Sequence, residues 1–331
     1  MKKINLTVNI FIAAFMFTVP FFTAGISDAA GVVIEAANQN INVDKNKGFF
    51  NGDVKVTIGD VVVKSPRAEL DLEPKSKKPS LAVFFDNPYA FQEKDNKKHE
   101  IKANIMKVSL INKTLRAEGN TQSIMMKDRQ PLITINSDSQ EYNTVTKLMR
   151  ADGSVIVHYQ DVETFSNSAS AIIDKGGEIQ NLKLTGNVVM KEKSNVIKGN
   201  KFEYKPSLQE YQISGNTSTD VTFEDGSRLY VEARYQQYNR NSNNIIAGGN
   251  VKIKYKDYLA TGPKAQVFID KTTQKPNKVV FTGRSKITQN LNTVEADVIT
   301  MTMNPKEFNA VGNVKTSISG GSGDDDMEIM P

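Results

Sequence analysis

The sequence predicts an all-β protein built from about nine strand–turn–strand repeats. A short phrase recurs along the chain, in which a glycine and a small polar residue precede alternating apolar and polar residues. The copies are spaced 29 to 34 residues apart, which is too regular for chance. They begin at Gly52, Asp86, Gly119, Gly153, Gly186, Gly215, Gly249, Gly283 and Gly312, and Asp86 stands where the other copies have glycine.

Within a repeat, the alternation has a period of two, which is the period of a half-buried strand. In the copy after Gly249, three apolar residues fall on one face and three lysines on the other: Val251, Ile253 and Tyr255 against Lys252, Lys254 and Lys256. No part of residues 30–319 shows a sustained helical period. Stacked repeats would line a continuous apolar interior. The glycines should adopt a positive φ at a tight corner, so we interpret the Gly–Asn pairs as structural and not as a ligand site.

The two ends of the chain differ from the repeats. Lys2 and Lys3, the apolar run 10–22 and the small residues 27–29 predict a signal peptide over residues 1–29. The alternative is an uncleaved inner-membrane anchor. Residues 320–331 are predicted to be a disordered acidic tail. Between them, residues 30–319 should form one β-repeat domain, or two stacked jellyroll units that meet near residue 216.

The composition argues against most kinds of chemistry. Cysteine is absent, which excludes disulfides, thiolate metal sites and a lipid-modified cysteine. His99 lies in a run of charged residues and is predicted to be a solvated loop residue, while His158 should point outward from a strand. Asp161 and Glu163 are interpreted as exposed charges. With no recognisable catalytic motif, we expect no enzyme activity, no catalytic residue, no metal site and no cofactor.

The charge is unevenly distributed. The whole chain carries +5, residues 1–29 carry +1 and the tail 320–331 carries −4, which leaves +8 on residues 30–319. A basic body suits an anionic partner, although a solvated lysine-rich surface explains it equally well. The basic residues are dispersed and the chain is predicted to be exported, so we expect no nucleic-acid partner.

Three segments carry a family resemblance: residues 184–188 with their continuation in residues 195–204, residues 49–56 and residues 85–92. They resemble the strand–turn–strand units of the OstA-like family of lipopolysaccharide-transport proteins. The resemblance covers about residues 34–216, and the same pattern continues to residue 319. It implies an open-ended β-jellyroll, or β-taco, in the Gram-negative periplasm, whose groove takes the acyl chains of lipopolysaccharide (lipid A).

The resemblance also implies partners and a site. The partners would be other lipopolysaccharide-transport proteins of the inner and outer membranes, with head-to-tail self-association through the end strands, near residues 32–43 and 313–319. The groove should be lined by apolar residues of the alternating strands: Val54, Val56, Val155, Val157, Val188, Met190, Val251 and Ile253. Two alternatives remain open, a β-solenoid adhesin with a dry core and an inner-membrane-anchored member of the same family.

Overall fold

The computed structural model describes residues 32–94, 97–159, 161–174, 179–223, 226–272, 276–303 and 305–319. The predicted signal peptide and acidic tail lie outside these residues and stay predictions. The described residues are almost entirely β-strand, and the pairings between strands are antiparallel, which confirms the all-β prediction. A single 3-10 turn, Pro206–Leu208, is the helical element in this part of the chain. None of its helical segments is long and apolar enough to cross a membrane.

The strands follow one another with short connections. In the first half they are β1 (Val32–Glu35), β2 (Asn38–Asn42), β3 (Lys47–Ile58), β4 (Val61–Leu72), β5 (Pro79–Phe85), β6 (Tyr89–Lys94), β7 (Lys97–Lys102), β8 (Ile105–Ser109), β9 (Thr114–Lys127), β10 (Gln130–Asn143), β11 (Leu148–Tyr159) and β12 (Val162–Ile173). In the second half they are β13 (Ile179–Glu192), β14 (Asn195–Lys205), β15 (Glu210–Thr222), β16 (Arg228–Asn239), β17 (Asn244–Tyr255), β18 (Tyr258–Ile269), β19 (Pro276–Gln289), β20 (Asn292–Met303), β21 (Lys306–Val311) and β22 (Lys315–Ser317).

The chain forms two compact units, which divide between Thr185 and Gly186 within β13. We refer to them as the N-terminal unit and the C-terminal unit and describe each by itself. The sequence-based boundary near residue 216 for two stacked jellyrolls stays a prediction. In both units, most strands pair with the strand before and the strand after them in the sequence.

The repeated Gly–polar pairs form corners in the middle of long strands. Gly249 and Asn250 have φ values of 76° and 53°, and the β17–β18 ladder shifts register between Gly248 and Val251. Two left-handed residues opposite a single partner residue make a bulge, which bends the sheet. Asp86 and Asn87 adopt φ values of 64° and 63°, so this pair forms the same corner without glycine. The predicted positive φ is therefore confirmed.

Crowding gives a second reason for glycine at the corners. A Cβ atom built on Gly153 would lie 2.0 Å from Oδ2 of Asp138, which comes from the neighbouring strand at the same corner.

The corners also define where the last strand starts. Asn313 has a φ of 47° and belongs to the final corner, so β22 begins at Lys315 and not at residue 313 as predicted.

The corners divide each unit into two walls. The turn wall consists of the half-strands beside the short hairpin turns, and the loop wall consists of the half-strands beyond the corners. In the N-terminal unit, the turn wall comprises residues 32–35, 54–65, 89–94, 97–102, 121–136, 155–159 and 161–166, and the loop wall comprises 47–51, 67–72, 79–85, 105–118, 139–152 and 168–173. In the C-terminal unit, the turn wall comprises 195–198, 217–223, 226–232, 251–261 and 285–296, and the loop wall comprises 201–214, 235–248, 264–272, 276–282, 298–303 and 305–311.

Each unit has its own apolar core between its walls. In the N-terminal unit, Val63, Phe84, Ala90 and Met106 have no exposed surface. In the C-terminal unit, the core cluster comprises Ala233, Ala247, Val251, Ala260, Ala265, Phe281, Ile287, Ala296 and Ile299. The alanines of this cluster lie close to the corners along their strands.

Candidate functional site

The predicted groove-lining residues face the interior of their units. Seven of them are buried: Val54, Val56, Val155 and Val157 in the N-terminal unit, and Val188, Met190 and Val251 in the C-terminal unit. Ile253 is partly buried and packs against the C-terminal core cluster. The strand register is therefore as predicted, whereas the lipid-binding role of these residues stays a prediction.

The residues that alternate with them point outward. Lys55, beside Val56, forms an ion pair with Glu35 at 3.0 Å. Lys252, beside Ile253, lies 3.8 Å from the carboxylate of Glu232. These side chains are about 40% exposed or more, so the pairs contribute little to stability. The pairs show the orientation of the strands: Lys55 and Lys252 face the charged exterior, whereas the next residue of each strand faces the apolar interior.

An apolar crevice opens between the two walls near the N-terminal end of the N-terminal unit. The empty space in and in front of it, open solvent included, is about 300 Å³. Val32, Ile34, Val56 and Ile58 line it from the turn wall, and Phe50, Ala68, Leu70, Ala82 and Phe84 line it from the loop wall. Glu69 and Leu110 complete the lining. At this crevice the interior of the unit is accessible between its walls.

A buried glutamine connects the two walls of the N-terminal unit. Gln140, on the loop wall, donates from Nε2 to Oγ1 of Thr121 at 3.1 Å and to the carbonyl of Ile135 at 3.2 Å. Its Oε1 accepts a hydrogen bond from the hydroxyl of Ser123. All three side chains, those of Gln140, Thr121 and Ser123, are buried. We call this arrangement the N-terminal glutamine clasp.

The C-terminal unit contains an equivalent clasp. Gln236, on the loop wall, donates from Nε2 to Oγ1 of Thr217 at 2.9 Å and accepts from Oγ1 of Thr219 at 2.8 Å. Thr217 in turn donates to the carbonyl of Ala233 at 3.0 Å. The glutamine follows its two hydroxyl partners by 19 and 17 residues in both units. The same polar connection between walls is therefore built twice.

The prediction for His99 was wrong. His99 lies in β7 and is buried, because Lys98, Glu100 and Lys102 point outward while His99, Ile101 and Ala103 point inward. A run of charges looks solvated when it is read as a block, but a strand sends every second residue to the other face. Burial lowers the pKa of His99 to about 4, with a smaller effect from the charge of Lys97. The imidazole is therefore neutral at neutral pH.

The remaining candidate residues lie on the surface. His158 points outward as predicted, with Nδ1 3.5 Å from Oε1 of Glu163. Asp161 is exposed in the turn after β11, and the Glu163 side chain is 36% exposed. Among the described residues, no three His, Asp or Glu side chains are grouped closely enough to hold a metal ion.

The two clasps were not predicted from the sequence. Gln140 and Gln236 stand in otherwise ordinary polar positions, and neither carries a recognisable motif. The signal that would have found them is the repeat itself. Aligning the copy that follows Gly119 with the copy that follows Gly215 places Thr121 over Thr217, Ser123 over Thr219 and Gln140 over Gln236. Hydroxyl and amide residues that recur at the same inward positions of an apolar repeat indicate a shared buried contact.

One comparison with known proteins, that with protein-family models, agrees with the resemblance seen in the sequence. The family model described as LptA/(LptD N-terminal domain) LPS transport protein matches residues 134–228. No curated protein matches the chain significantly. Among solved structures, the chain is similar to LptH, the LptA homologous periplasmic component of the conserved lipopolysaccharide transport device from Pseudomonas aeruginosa. That similarity has 12% identity and a TM-score of 0.35, and covers 40% of this chain and 96% of LptH.

The family match includes β11 to β15 in full and the sequence of the C-terminal corner at Gly215. It also contains the phrase at Gly186 that carried the resemblance to the OstA-like proteins, and that predicted resemblance is confirmed. Over residues 134–228, which are less than a third of the chain, the sequence is therefore similar to the LptA/(LptD N-terminal domain) family of LPS transport proteins.

Proposed function

We propose that this protein binds lipopolysaccharide in the periplasm and shields its acyl chains between the turn wall and the loop wall. The observation that carries the proposal is the crevice in the N-terminal unit, which is apolar on both walls and leads into an interior of the same character. The charged residues that alternate with this lining keep the outer surface polar. This arrangement suits a cargo with long apolar chains.

The hydrophobic effect explains why such a carrier is needed. Exposing acyl chains to water costs about 0.8 kcal/mol for each CH₂ group. In the lipid-free protein, the two walls of each unit cover each other, so their apolar residues are already removed from water. A lipid replaces wall-to-wall contacts by wall-to-chain contacts. The net affinity is then moderate, and the cargo can be passed on.

Site-specific photo-crosslinking tests the proposal with matched pairs of neighbouring positions. A photoreactive residue at Val56 or Ile253 should capture lipopolysaccharide, because both side chains face the interior. The same residue at Lys55 or Lys252 should not, because these side chains face outward. Equal labelling within each pair would refute binding between the walls, since a step of one residue changes the face.

The dry-core alternative makes the opposite prediction. A β-solenoid adhesin has a filled interior, so protein purified from the periplasm would carry no lipid, and none of the four positions would crosslink. Mass spectrometry of lipids that copurify with the native protein distinguishes the lipid carrier from the dry-core adhesin.

The alternative of an uncleaved inner-membrane anchor is tested by N-terminal sequencing. We expect the mature chain to start after Ala29, and a start at Met1 with membrane retention would favour the anchor.

We further propose that copies associate end to end, as a bridge between the membranes. Among the described residues, β1 and β2 pair with β3 alone, and β21 and β22 pair with β20 alone, so the opposite edges of these end strands are unpaired. Unpaired edges pair readily with strands of another chain. Exposed apolar side chains accompany them: Val33 and Ile41 near the first edge, and Val311 and Ile318 near the last.

Two neighbouring proline substitutions test the bridge. Successive N–H groups of a strand point to opposite sides, so one of Asn309→Pro and Ala310→Pro removes a bond to β20 and the other removes a donor from the free edge. The substitution that removes a donor from the free edge should weaken association, as measured by concentration-dependent light scattering, and should leave the unfolding midpoint nearly unchanged. The substitution that removes a bond to β20 should lower the unfolding midpoint. If wild-type protein stays monomeric at high concentration, the protein acts as a shuttle and not as a bridge.

A further inference from the structure

Two aromatic rings lie on the outer face of the turn wall in the N-terminal unit. Tyr89 and Phe91 alternate along β6 with the buried residues Ala90 and Gln92, so both rings point away from the interior. The rings stack on each other, with their centroids 5.5 Å apart. Packing between the two walls does not account for aromatic side chains on this face, so we consider which partner they fit.

Three lysines surround the two rings. The Nζ atom of Lys64, in β4, lies 5.7 Å from the centroid of the Phe91 ring. In β7, the Nζ atom of Lys98 lies 5.4 Å from the same centroid, and that of Lys102 lies 5.8 Å from the centroid of Tyr89. These distances are in the range of cation–π contacts. We call the following set the aromatic–lysine patch: Lys64, Tyr89, Phe91, Lys98, Glu100 and Lys102.

The aromatic–lysine patch carries a net positive charge. Its carboxylate, Glu100, forms an ion pair with Lys98 and accepts a hydrogen bond from the hydroxyl of Tyr89 at 2.5 Å. Three lysines and one glutamate give a net charge of +2, so two positive charges are not balanced within the patch. A partner that fits brings carboxylates for the lysines and polarizable apolar side chains for the rings.

The acidic segment at residues 324–330 has this composition. It reads Asp-Asp-Asp-Met-Glu-Ile-Met, with four negative charges and three apolar side chains, two of which are methionines. Residues 320–323, three glycines and one serine, connect it to Ser319. The acidic segment lies outside the described residues, whereas Ser319 lies within them. Carboxylates and methionines are neighbours in this segment, as lysines and aromatic rings are in the patch.

End-to-end association would bring the acidic segment of one copy beside the patch of the next. β22 pairs with residues 293–295 and β1 pairs with residues 55–58, so both end strands extend a turn wall. β22 runs from the corner towards the hairpin turn, and β1 runs from the hairpin turn towards the corner. A pairing of β22 with β1 of the next copy would therefore be antiparallel, like the described pairings within each unit.

The acidic segment is long enough to reach the patch. Neighbouring strands lie about 4.8 Å apart, so β4 of the next copy would be about 14 Å from β22, and β7 would be about 24 Å from it. The amide of Ser319 donates to Oδ1 of Asn292 at 3.1 Å, which fixes the starting point at the hairpin turn. At about 3.3 Å per residue, Asp324 can reach about 17 Å from Ser319, and Glu328 about 30 Å.

We propose that the acidic segment 324–330 of one copy binds the aromatic–lysine patch of the next copy. Its carboxylates pair with Lys64 and Lys102, and its methionines contact the rings of Tyr89 and Phe91. The proposal rests on the proposed end-to-end association, and it adds a contact outside the paired strands. The acidic segment acts as a strap across the junction, so association depends on ionic strength as well as on strand pairing.

Photo-crosslinking from the acidic segment tests where it binds. A photoreactive residue replaces Met327 in the full chain, and unlabelled protein is mixed with isotopically labelled protein before irradiation. We expect mass spectrometry to find residue 327 of one copy joined to β4, β6 or β7 of another copy. Crosslinks confined to a single copy would overturn the proposal, because the segment would then bind its own chain. Crosslinks spread evenly over the surface would overturn it as well.

Charge reversal tests the pairing of the two partners. Lys64→Glu combined with Lys102→Glu should weaken association about tenfold in Kd at low salt, because two attractive contacts become repulsive. Asp325→Lys combined with Asp326→Lys should weaken it to a similar extent. A mixture of the two double variants should recover most of the loss, since the reversed segment then meets the reversed patch. Concentration-dependent light scattering gives the Kd values.

A matched control measures the effect of net charge alone. Lys193→Glu combined with Lys198→Glu changes the charge by the same amount at two exposed positions, in the β13–β14 turn and in β14. These positions are not in the end strands, so the Kd should change by less than about twofold. Thermal unfolding verifies that the variants fold. We expect midpoints near that of wild type, because all the substituted side chains of the described residues point outward.

The outcomes separate the strap from the end-to-end association. If wild type associates and the reversed variants associate equally well, the strap is wrong while the association stands. If wild type stays monomeric, both are wrong. If residue 327 crosslinks to no protein, and reversal of Lys64 and Lys102 instead abolishes binding to vesicles of phosphatidylglycerol and phosphatidylethanolamine, the patch binds an anionic membrane surface. That result would also overturn the proposal.

Discussion

Replacing Gln236 by leucine should lower the free energy of unfolding by about 1.5–4 kcal/mol. Leucine fills a similar volume, so the effect comes from hydrogen bonding. The buried hydroxyl of Thr219 loses its acceptor, which costs about 1–3 kcal/mol. Thr217 Oγ1 no longer accepts the hydrogen bond from Gln236 Nε2 but still donates to the carbonyl of Ala233. This loss lowers the free energy of unfolding by a further 0.5–1 kcal/mol, roughly.

A double-mutant cycle with Thr219→Val separates this effect from packing. When both polar partners are apolar, no buried group is left unpaired, so the double variant should be within about 1 kcal/mol of wild type. Urea unfolding followed by circular dichroism gives the four free energies. Gln237→Leu, at the next and less buried position of β16, is the control and should cost less than about 0.5 kcal/mol. Equal losses for Gln236→Leu and Gln237→Leu, or strict additivity in the cycle, would refute the clasp.

Three further predictions concern the N-terminal unit. Between pH 6.5 and 4 the unfolded chain binds more protons at residue 99 than the folded protein does, so the free energy of unfolding decreases as the pH is lowered. His99→Leu should remove about 3 kcal/mol of that decrease, as measured by urea unfolding at each pH. Gly153→Ala should cost at least about 1–2 kcal/mol through its left-handed φ, whereas Ser154→Gly at the same corner should cost little, and thermal unfolding compares them. Phe84→Ala should cost about 3–5 kcal/mol because the ring is fully buried, and Phe49→Ala, which is 38% exposed, should cost clearly less by the same measurement.

Much of the fold was predictable because one local rule repeats. A residue such as Gly249 needs a left-handed φ, and the alternation after it determines which of Val251 and Lys252 points inward. Even Asp86, the irregular copy, adopts the corner conformation, because a short polar side chain tolerates that backbone. These features depend on residues close in sequence, so one sequence is sufficient to find them.

The polar interior was not predictable in the same way. Whether Gln140 bonds Thr121 or water depends on how closely the two walls approach, and that distance is a tertiary property. His99 was misassigned because its neighbours Lys98 and Glu100 dominate the local composition. Gln92 gives no sign of its burial in the sequence. Contacts between walls join residues that are distant in the repeat, and alternation alone does not specify them.

The corner bulges also constrain how such a chain can change in length during evolution. Each wall is about five residues deep on either side of a corner, and an insertion there would move a left-handed pair away from the line formed by its neighbours. Insertions and deletions are therefore restricted to the connections between strands, which explains why copies spaced by 29 residues coexist with copies spaced by 34. Duplication of a whole repeat, by contrast, adds two half-strands to each wall without altering the width of the interior. Tandem duplication is thus a route to longer proteins of the same cross-section.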